Sequence, residues 1–311
     1  MAITAGMVKE LRELTGAGMM DCKKALAETN GDMDAAVEFL RKNGQAKAEK
    51  KAGRIAAEGL CAVVVADDKT AAVVEVNSET DFVAKNDEFK SFVAAVAAQA
   101  VASDAADMDA FMAEAWNEDA AMTVKEALVA KVARIGENLS IRRFEKVVAE
   151  NGCVVSYVHG GGRIGVIVEA ATDVVNDAVK EAMTNIAMQI AALSPKYVSA
   201  DEVSEEYKAH EMEIIKAQIE NDPKMAGKPE KVITGAVMGR LNKQLKEVCL
   251  VDQVYVKAED GKQTVAQYLA AVAKENGANL SVKKFVRFET GEGLEKKVDD
   301  FAAEVAAQAG L

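Results

Sequence analysis

One pattern constrains the fold of this chain more than any other. The nine residues Gly136 to Phe144, GENLSIRRF, return as GANLSVKKF at Gly277 to Phe285. A looser echo precedes each, VVEVNSETDFV at Val73 to Val83 and VIVEAATDVV at Val166 to Val175, and both lead into alanine-rich helical stretches that reach Gln99 and Gln189. Self-similarity of this kind means one supersecondary unit used twice. The middle of the chain therefore reads as two copies of a strand, helix and strand unit, and the fold class as α+β.

The spacing between copies locates an insertion. Asp81 and Asp173 are 92 positions apart, whereas Phe144 and Phe285 are 141 apart, so the second copy holds 49 extra residues between Gln189 and Gly277. Within that window, Asp201 to Asn221 is a charged helical stretch with Val203, Tyr207, Ile214 and Ile215 on its apolar side. Pro223 to Pro229 breaks it, and Glu230 to Val248 follows with Ile233, Val237, Leu241 and Leu245. Two such helices make an antiparallel hairpin of coiled-coil type. It should project from the second copy, and its stripe suits either a second copy of this chain, giving a homodimer, or the chain's own core.

The first 43 residues read as three short helices. Thr4 caps a stripe of Met7, Val8, Leu11 and Leu14; Met20 to Ala27 forms a second; Asp32 opens a third that Gly44 ends. So small a bundle favours recognition over catalysis. Gln45 to Arg54, with Lys47, Lys50, Lys51 and Arg54, reads as a linker, extended or helical, with a solvated basic face. At the other end Leu294, Val298, Phe301 and Val305 mark an apolar face of a terminal helix. The expected units are thus 1–54, 55–147, 148–288 with the hairpin at 197–248, and 289–311.

Composition narrows the function. The 311 residues carry 38 Lys and Arg against 50 Asp and Glu, a net charge of −12, so no nucleic-acid partner is expected to bind through overall charge. Cys22, Cys61, Cys153 and Cys249 stand far apart and read as buried, reduced thiols. MAITAGMVKE has no leader pattern, and no stretch approaches the roughly 20 apolar residues of a membrane span. A soluble, cytoplasmic chain without a membrane partner is expected. Nor does a catalytic site assemble. There are two histidines, His159 and His210, and no HExxH, GxSxG or Walker sequence. Gly160, Gly162 and Gly165 satisfy GxGxxG, but a strand follows them where a dinucleotide fold needs a helix, so the context is a hairpin turn and no cofactor is expected.

The eight residues Glu79 to Asn86, ETDFVAKN, are the strongest functional signal. They join the apolar strand Ala71 to Val76 to a helix striped by Phe89, Phe92, Val93, Val96 and Ala97, with Asn86 as its cap. Such a connection lies at the surface, yet Phe82 stands in it beside Asp81. The ring is either an exposed wedge or the first core residue under the helix. His159, ending a strand at a glycine turn, should be exposed. Met19 and Met20 are either core fillers or adaptable partner contacts.

The strings TGAGMMDCKKAL at Thr15 to Leu26 and EVNSETDFVAKN at Glu75 to Asn86 resemble the signature stretches of bacterial translation elongation factor Ts. KVARIGENLSIRR, SYVHGGGRIGV and the closing FVRFETGEGLEKKVDDFAAEVAAQ resemble that family too, so the likeness runs in order along essentially the whole chain. Ser78 and Glu79 depart from it, since many relatives have cysteine and glutamine there. The resemblance implies an N-terminal three-helix domain like a ubiquitin-associated domain, a duplicated α+β core, an inserted coiled-coil hairpin and a C-terminal helical module. It also implies guanine nucleotide exchange on elongation factor Tu without covalent chemistry, against the alternative of a binding-only adaptor or chaperone. The exchange wedge would be Thr80, Asp81, Phe82 and Val83. Other partner contacts would fall on Arg12, Met19, Met20 and Lys23, on Ile135 and Gly136, on His159, and on the terminal helix.

Overall fold

The computed structural model describes residues 3–222, 224–225 and 227–296. Three helices come first, α1 (Ala5–Thr15), α2 (Met19–Glu28) and α3 (Met33–Lys51). A hairpin of β1 (Glu58–Val65) and β2 (Thr70–Ser78) leads to α4 (Asp81–Lys85), α5 (Asp87–Ala102) and α6 (Met108–Ala113). The short pair β3 (Ala115–Trp116) and β4 (Asp119–Thr123), then α7 (Val124–Ile135) and β5 (Ser140–Val148), follow. A second hairpin, β6 (Cys153–His159) and β7 (Ile164–Thr172), precedes α8 (Asp177–Leu193), α9 (Glu205–Glu220), α10 (Glu230–Val248), α11 (Val265–Asn276) and β8 (Leu280–Glu289). The fold is mixed α+β.

The repeated unit is larger than a strand, a helix and a strand. It begins with a β-hairpin and ends with a second helix and a third strand, so the sheets β1-β2-β5 and β6-β7-β8 have the same antiparallel order. Each is irregular at the same place, between Glu75 and Val76 and between Glu169 and Ala170. The two glutamines are equivalent as well. Gln99 donates to the Ala115 carbonyl and accepts from the Asn117 amide, while Gln189 donates to the Val254 carbonyl and accepts from the Val256 amide. Between Gln189 and Val254 lie α9 and α10, which pack through Ile215, Ile219, Val237 and Leu241. The helix begins at Glu205 rather than Asp201, because residues 200–202 form a separate 3₁₀ turn and Ser204 caps α9. The terminal-helix positions Val298, Phe301 and Val305 lie outside the described residues.

The sheets are covered on both sides. Ala72, Val74 and Val76 of β2 face α5 and α7, and Val166, Val168 and Ala170 of β7 face α8 and α11. The alternate residues, among them Ala71, Val73 and Ile167, meet between the sheets together with Cys61, Val147, Val154 and Phe288. Sheet meets sheet closely. A Cβ on Gly165 would lie within 3.1–3.2 Å of Val73, Cys61 and Val63.

The N-terminal helices bury Leu11, Cys22, Ala25, Leu26 and Ala36 in a cluster of their own. Contrary to expectation, α3 does not stop at Gly44 but continues to Lys51, so the basic stretch takes the helical form of its two readings as far as Lys51. Gly44 lies where α3 meets α7, and a Cβ there would sit 3.5 Å from Ala133 Cβ. Close helix packing offsets the roughly 1 kcal/mol that a glycine costs inside a helix. Lys51 then donates to the Gly136 carbonyl, and Asn138 to the Arg54 carbonyl at 2.8 Å.

A single carboxylate links the first sheet to the end of the second. Glu75 is fully buried and accepts from Arg143 Nε at 2.6 Å, Arg142 Nη1 at 3.1 Å, Asn77 Nδ2 at 3.0 Å and the Gly291 amide at 2.8 Å. Gly291 has φ +73° and a Cβ there would strike the Ala57 carbonyl oxygen at 2.1 Å, so the tight turn after β8 requires glycine. Burial opposes the charge on Glu75, yet the Gly291 amide, Asn77 and Arg143 together outweigh it and hold the carboxyl below its ordinary 4.5. A carboxylate depressed in the folded state stabilises the fold fully above the unfolded value and loses that contribution as pH falls through the folded one. Glu75→Ala is expected to cost about 3 kcal/mol at pH 7, the scale of breaking a buried ion pair. Urea titrations at pH 7 and below pH 4 should show the gap between wild type and Glu75→Ala narrowing in acid; a constant gap would show that the charge contributes nothing.

Candidate functional site

The connection from β2 to α5 departs from its counterpart in the second copy. Asn86 and Asn176 cap the following helices alike, Asn86 accepting from the Glu88 and Phe89 amides and Asn176 from the Val179 amide. Between strand and cap, however, the first copy has seven residues, 79–85, and the second has three, 173–175. Asp81 is therefore not the counterpart of Asp173, and from the equivalent caps Asn86 and Asn176, 90 positions apart, the second copy holds 51 rather than 49 extra residues. Asp173 accepts from the Asn279 amide at 2.7 Å, and in the first copy Glu79 accepts from the Asn138 amide at 2.6 Å, so Glu79 is the equivalent residue. Matching letters align across what is an insertion. The four extra residues are one turn of helix, α4.

That turn has an inner and an outer side. Ala84 is buried and Val83 packs half-buried on the core under α5, which leaves Asp81, Phe82 and Lys85 outside. Phe82 is 81% exposed. The ring thus takes the outward of its two expected placements. Thr80 caps α4 through the Val83 amide at 3.3 Å, and Asn86 closes it by donating its own amide to the Val83 carbonyl at 2.9 Å. Lys85 Nζ lies 2.6 Å from Asp81 Oδ2, and this hydrogen bond holds the Asp81 carboxyl below its ordinary 3.8. The arrangement presents a ring and a carboxylate on a short, capped support.

Below the turn lies the end of α7. Gly136 ends that helix in the left-handed region at φ +88°, Ile135 packs half-buried on the core, and Glu137 and Asn138 reach up to the connection. Glu137 accepts from the Glu79 and Thr80 amides, both at 3.1 Å, and from Thr80 Oγ1 at 2.7 Å. Neither residue was among those expected at the site. The signal was present as a mismatch inside the repeat, since Glu137 of GENLS corresponds to Ala278 of GANLS.

Arg12 lines a cleft of about 650 Å³ with Gly16, Gly18, Glu88 and Arg134, where the three-helix cluster meets the core. Arg134 Nε reaches Glu88 at 2.8 Å, in the first turn of α5. Met19 and Met20, next to that cleft in sequence, are 59% and 72% exposed and so are not core fillers, and Lys23 is exposed beside them. The structure therefore gathers Arg12, Ile135, Gly136 and the residues Thr80 to Val83 around α7 and the start of α5. His159 is exposed at the β6–β7 turn, its ring 3.0 Å from Tyr157 Oη, and that turn lies on β1, where the Cys61 amide donates to the Gly162 carbonyl. It is not bonded to the wedge. Of the GxGxxG glycines, Gly160 and Gly162 make this turn and Gly165 lies in β7, so a strand and not a helix follows the turn.

The family model for elongation factor TS matches residues 79–292, from the first residue of the wedge connection to the turn that holds Glu75. The chain belongs to the elongation factor Ts family. It is 54% identical over 307 residues to elongation factor Ts of Clostridioides difficile (strain 630), covering 98% of each chain. Elongation factor Ts of Clostridium novyi (strain NT) is 52% identical over 307 residues, again 98% of each, and that of Clostridium tetani (strain Massachusetts / E88) is 51% identical over 98% of this chain and 99% of its own. Membership makes nucleotide exchange in translation elongation, a part of protein biosynthesis, the family role of this chain. Among the described residues no helix is long and apolar enough to cross a membrane. Lys85→Ala is expected to raise the Asp81 pKa toward 3.8, followed by the carboxyl carbon shift in an NMR titration; an unmoved midpoint would show that the ammonium does not set it.

Proposed function

We propose that this chain is a cytoplasmic guanine nucleotide exchange factor for elongation factor Tu and that α4 is its exchange element. One observation carries the reading: Phe82 is held almost fully in solvent by a helix whose other side is fixed to the core. A GTPase grips its nucleotide through backbone amides, a lysine and Mg²⁺. Insertion of Phe82 between elements near that site, with Asp81 disturbing the surroundings of the metal, distorts the cradle and weakens its hold on phosphate. GDP leaves faster. Factor and nucleotide lower each other's affinity by the same ratio, so GTP arriving later helps expel the factor. No covalent step and no cofactor of the chain's own are involved.

The remaining contacts hold the two proteins together. Arg12, Met19, Met20 and Lys23 would dock from a three-helix module of the ubiquitin-associated type, Ile135 and Gly136 from beside the wedge, and His159 from the hairpin turn. The helical pair α9 and α10 is read as a coiled-coil hairpin inserted in the second core subdomain. Because docking is spread in this way, Phe82→Ala should still bind elongation factor Tu. Its release of fluorescent GDP in stopped flow should be slower by about tenfold or more, since burying such a ring is worth about 2–3 kcal/mol and each 1.4 kcal/mol is tenfold. A variant that binds and releases GDP at the wild-type rate would leave a docking adaptor as the better description.

A further inference from the structure

We propose that Glu137 is the positioning residue of the exchange element: its carboxylate sets the direction in which α4 presents Phe82. The inference rests on the reading of α4 as that element and adds what makes it rigid. At the end of β2 the Glu79 and Thr80 amides are past the strand ladder and not yet within a helix, so two main-chain donors need a partner. Glu137 Oε2 accepts both, and Oε1 accepts the Thr80 hydroxyl. That hydroxyl has one proton. With it given to Glu137, the lone pairs of Oγ1 are left for the Val83 amide, which is the cap of α4. A charged acceptor with three donors is a strong local fixing point.

The duplication supplies an independent argument. In the second copy the connection is four residues shorter and no turn of helix stands between β7 and the cap of α8, and there the position of Glu137 is taken by Ala278. The two copies otherwise match through this stretch in Gly136 and Gly277, Asn138 and Asn279, and Leu139 and Leu280. Asn138 and Asn279 perform the same task, each donating its amide to an acid that begins the connection. The carboxylate therefore accompanies α4 and not the scaffold. Glu137 is itself placed by the left-handed turn at Gly136, so the end of α7 determines where α4 points.

The test compares wild type, Glu137→Ala, Glu137→Gln and Phe82→Ala on elongation factor Tu loaded with fluorescent GDP. For Glu137→Ala the release rate at saturating factor should fall by about tenfold, the scale of a loosened positioning group, while the half-saturating concentration changes little. Amide hydrogen exchange of the free full-length variant should quicken over residues 79–86 and stay at the wild-type rate in β2 and α5. Glu137→Gln, which keeps one acceptor oxygen for the two amides, should recover most of the rate. Wild-type release by Glu137→Ala alongside slow release by Phe82→Ala would overturn the role of Glu137 and leave the exchange reading intact. Wild-type release by both variants would remove the exchange reading, and this inference with it. A Glu137→Ala protein that loses binding and global stability together would also overturn it, because the carboxylate would then serve the fold and not the direction of α4.

Discussion

The carboxylate of Glu75 fixes the two halves of the core to each other. It is fully buried between sheets, and its partners come from the second and third strands of the first copy and from the turn that ends the second. Apolar packing alone would let the sheets slide, because burial has no direction. Hydrogen bonds do have one. Arg143 stacks 4.2 Å over the Phe288 ring while its guanidinium holds Glu75, and Arg142 reaches the Glu292 carbonyl at 2.7 Å, so the register between the sheets is set by named atoms. The counterpart Glu169 pairs with Lys283 at 3.0 Å, on the second sheet alone. Three residues beyond Glu75, β2 ends and the wedge connection begins. A support for a protruding ring is only as stiff as the strand it leaves, and this strand is held on both faces.

Duplication explains where difference is informative. The copies share strand order, the bulge beside the buried acid, the glutamine that ties a helix to its loop, and a capping box at Thr123 and Thr264. These features build the scaffold. Among the described residues the two insertions into the shared plan are the helical pair after α8 and the single turn before α5, while α6 and the β3–β4 pair of the first copy face only an isolated bridge, Val254 to Thr264, in the second. An insertion into a strand-to-helix connection leaves the helix on the sheet undisturbed, because the cap at Asn86 does what Asn176 does in the other copy. A surface connection of this kind accepts an insertion at little cost to the core.

Much of this was legible in the sequence, and the failures have physical causes. The repeat, its insertion and the caps at Thr4, Asp32 and Asn86 follow from periodicity and capping chemistry, which are local. The β6–β7 hairpin was legible at its glycine turn but not as part of the repeat, because β1, its counterpart in the first copy, is an apolar run that does not announce its partner. Gly44 was read as a stop, since glycine breaks an isolated helix; its place against Ala133 of α7 is a tertiary fact. The exposure of Phe82 could not be decided from its own neighbours. It depends on Val83 and Ala84 turning inward, and with one helical turn available those two leave Asp81 and Phe82 no inward direction.

The exposure of Phe82 leaves its burial energy unspent in the free protein. In the free chain Phe82 touches little, so its burial of about 2–3 kcal/mol remains available for a partner. Part of that gain would be lost if binding had to order a loose loop, at about 1–2 kcal/mol for each backbone residue fixed. Here the ordering is complete beforehand, through the Thr80 cap, the Glu137 acceptors and the Asn86 closure. On the proposed reading of α4 as the exchange element, nearly all of the energy of burying the ring would then go into displacing the partner's own elements. A flexible loop with the same residues would bind by adapting to the pocket; a braced turn can bind only where the pocket gives way.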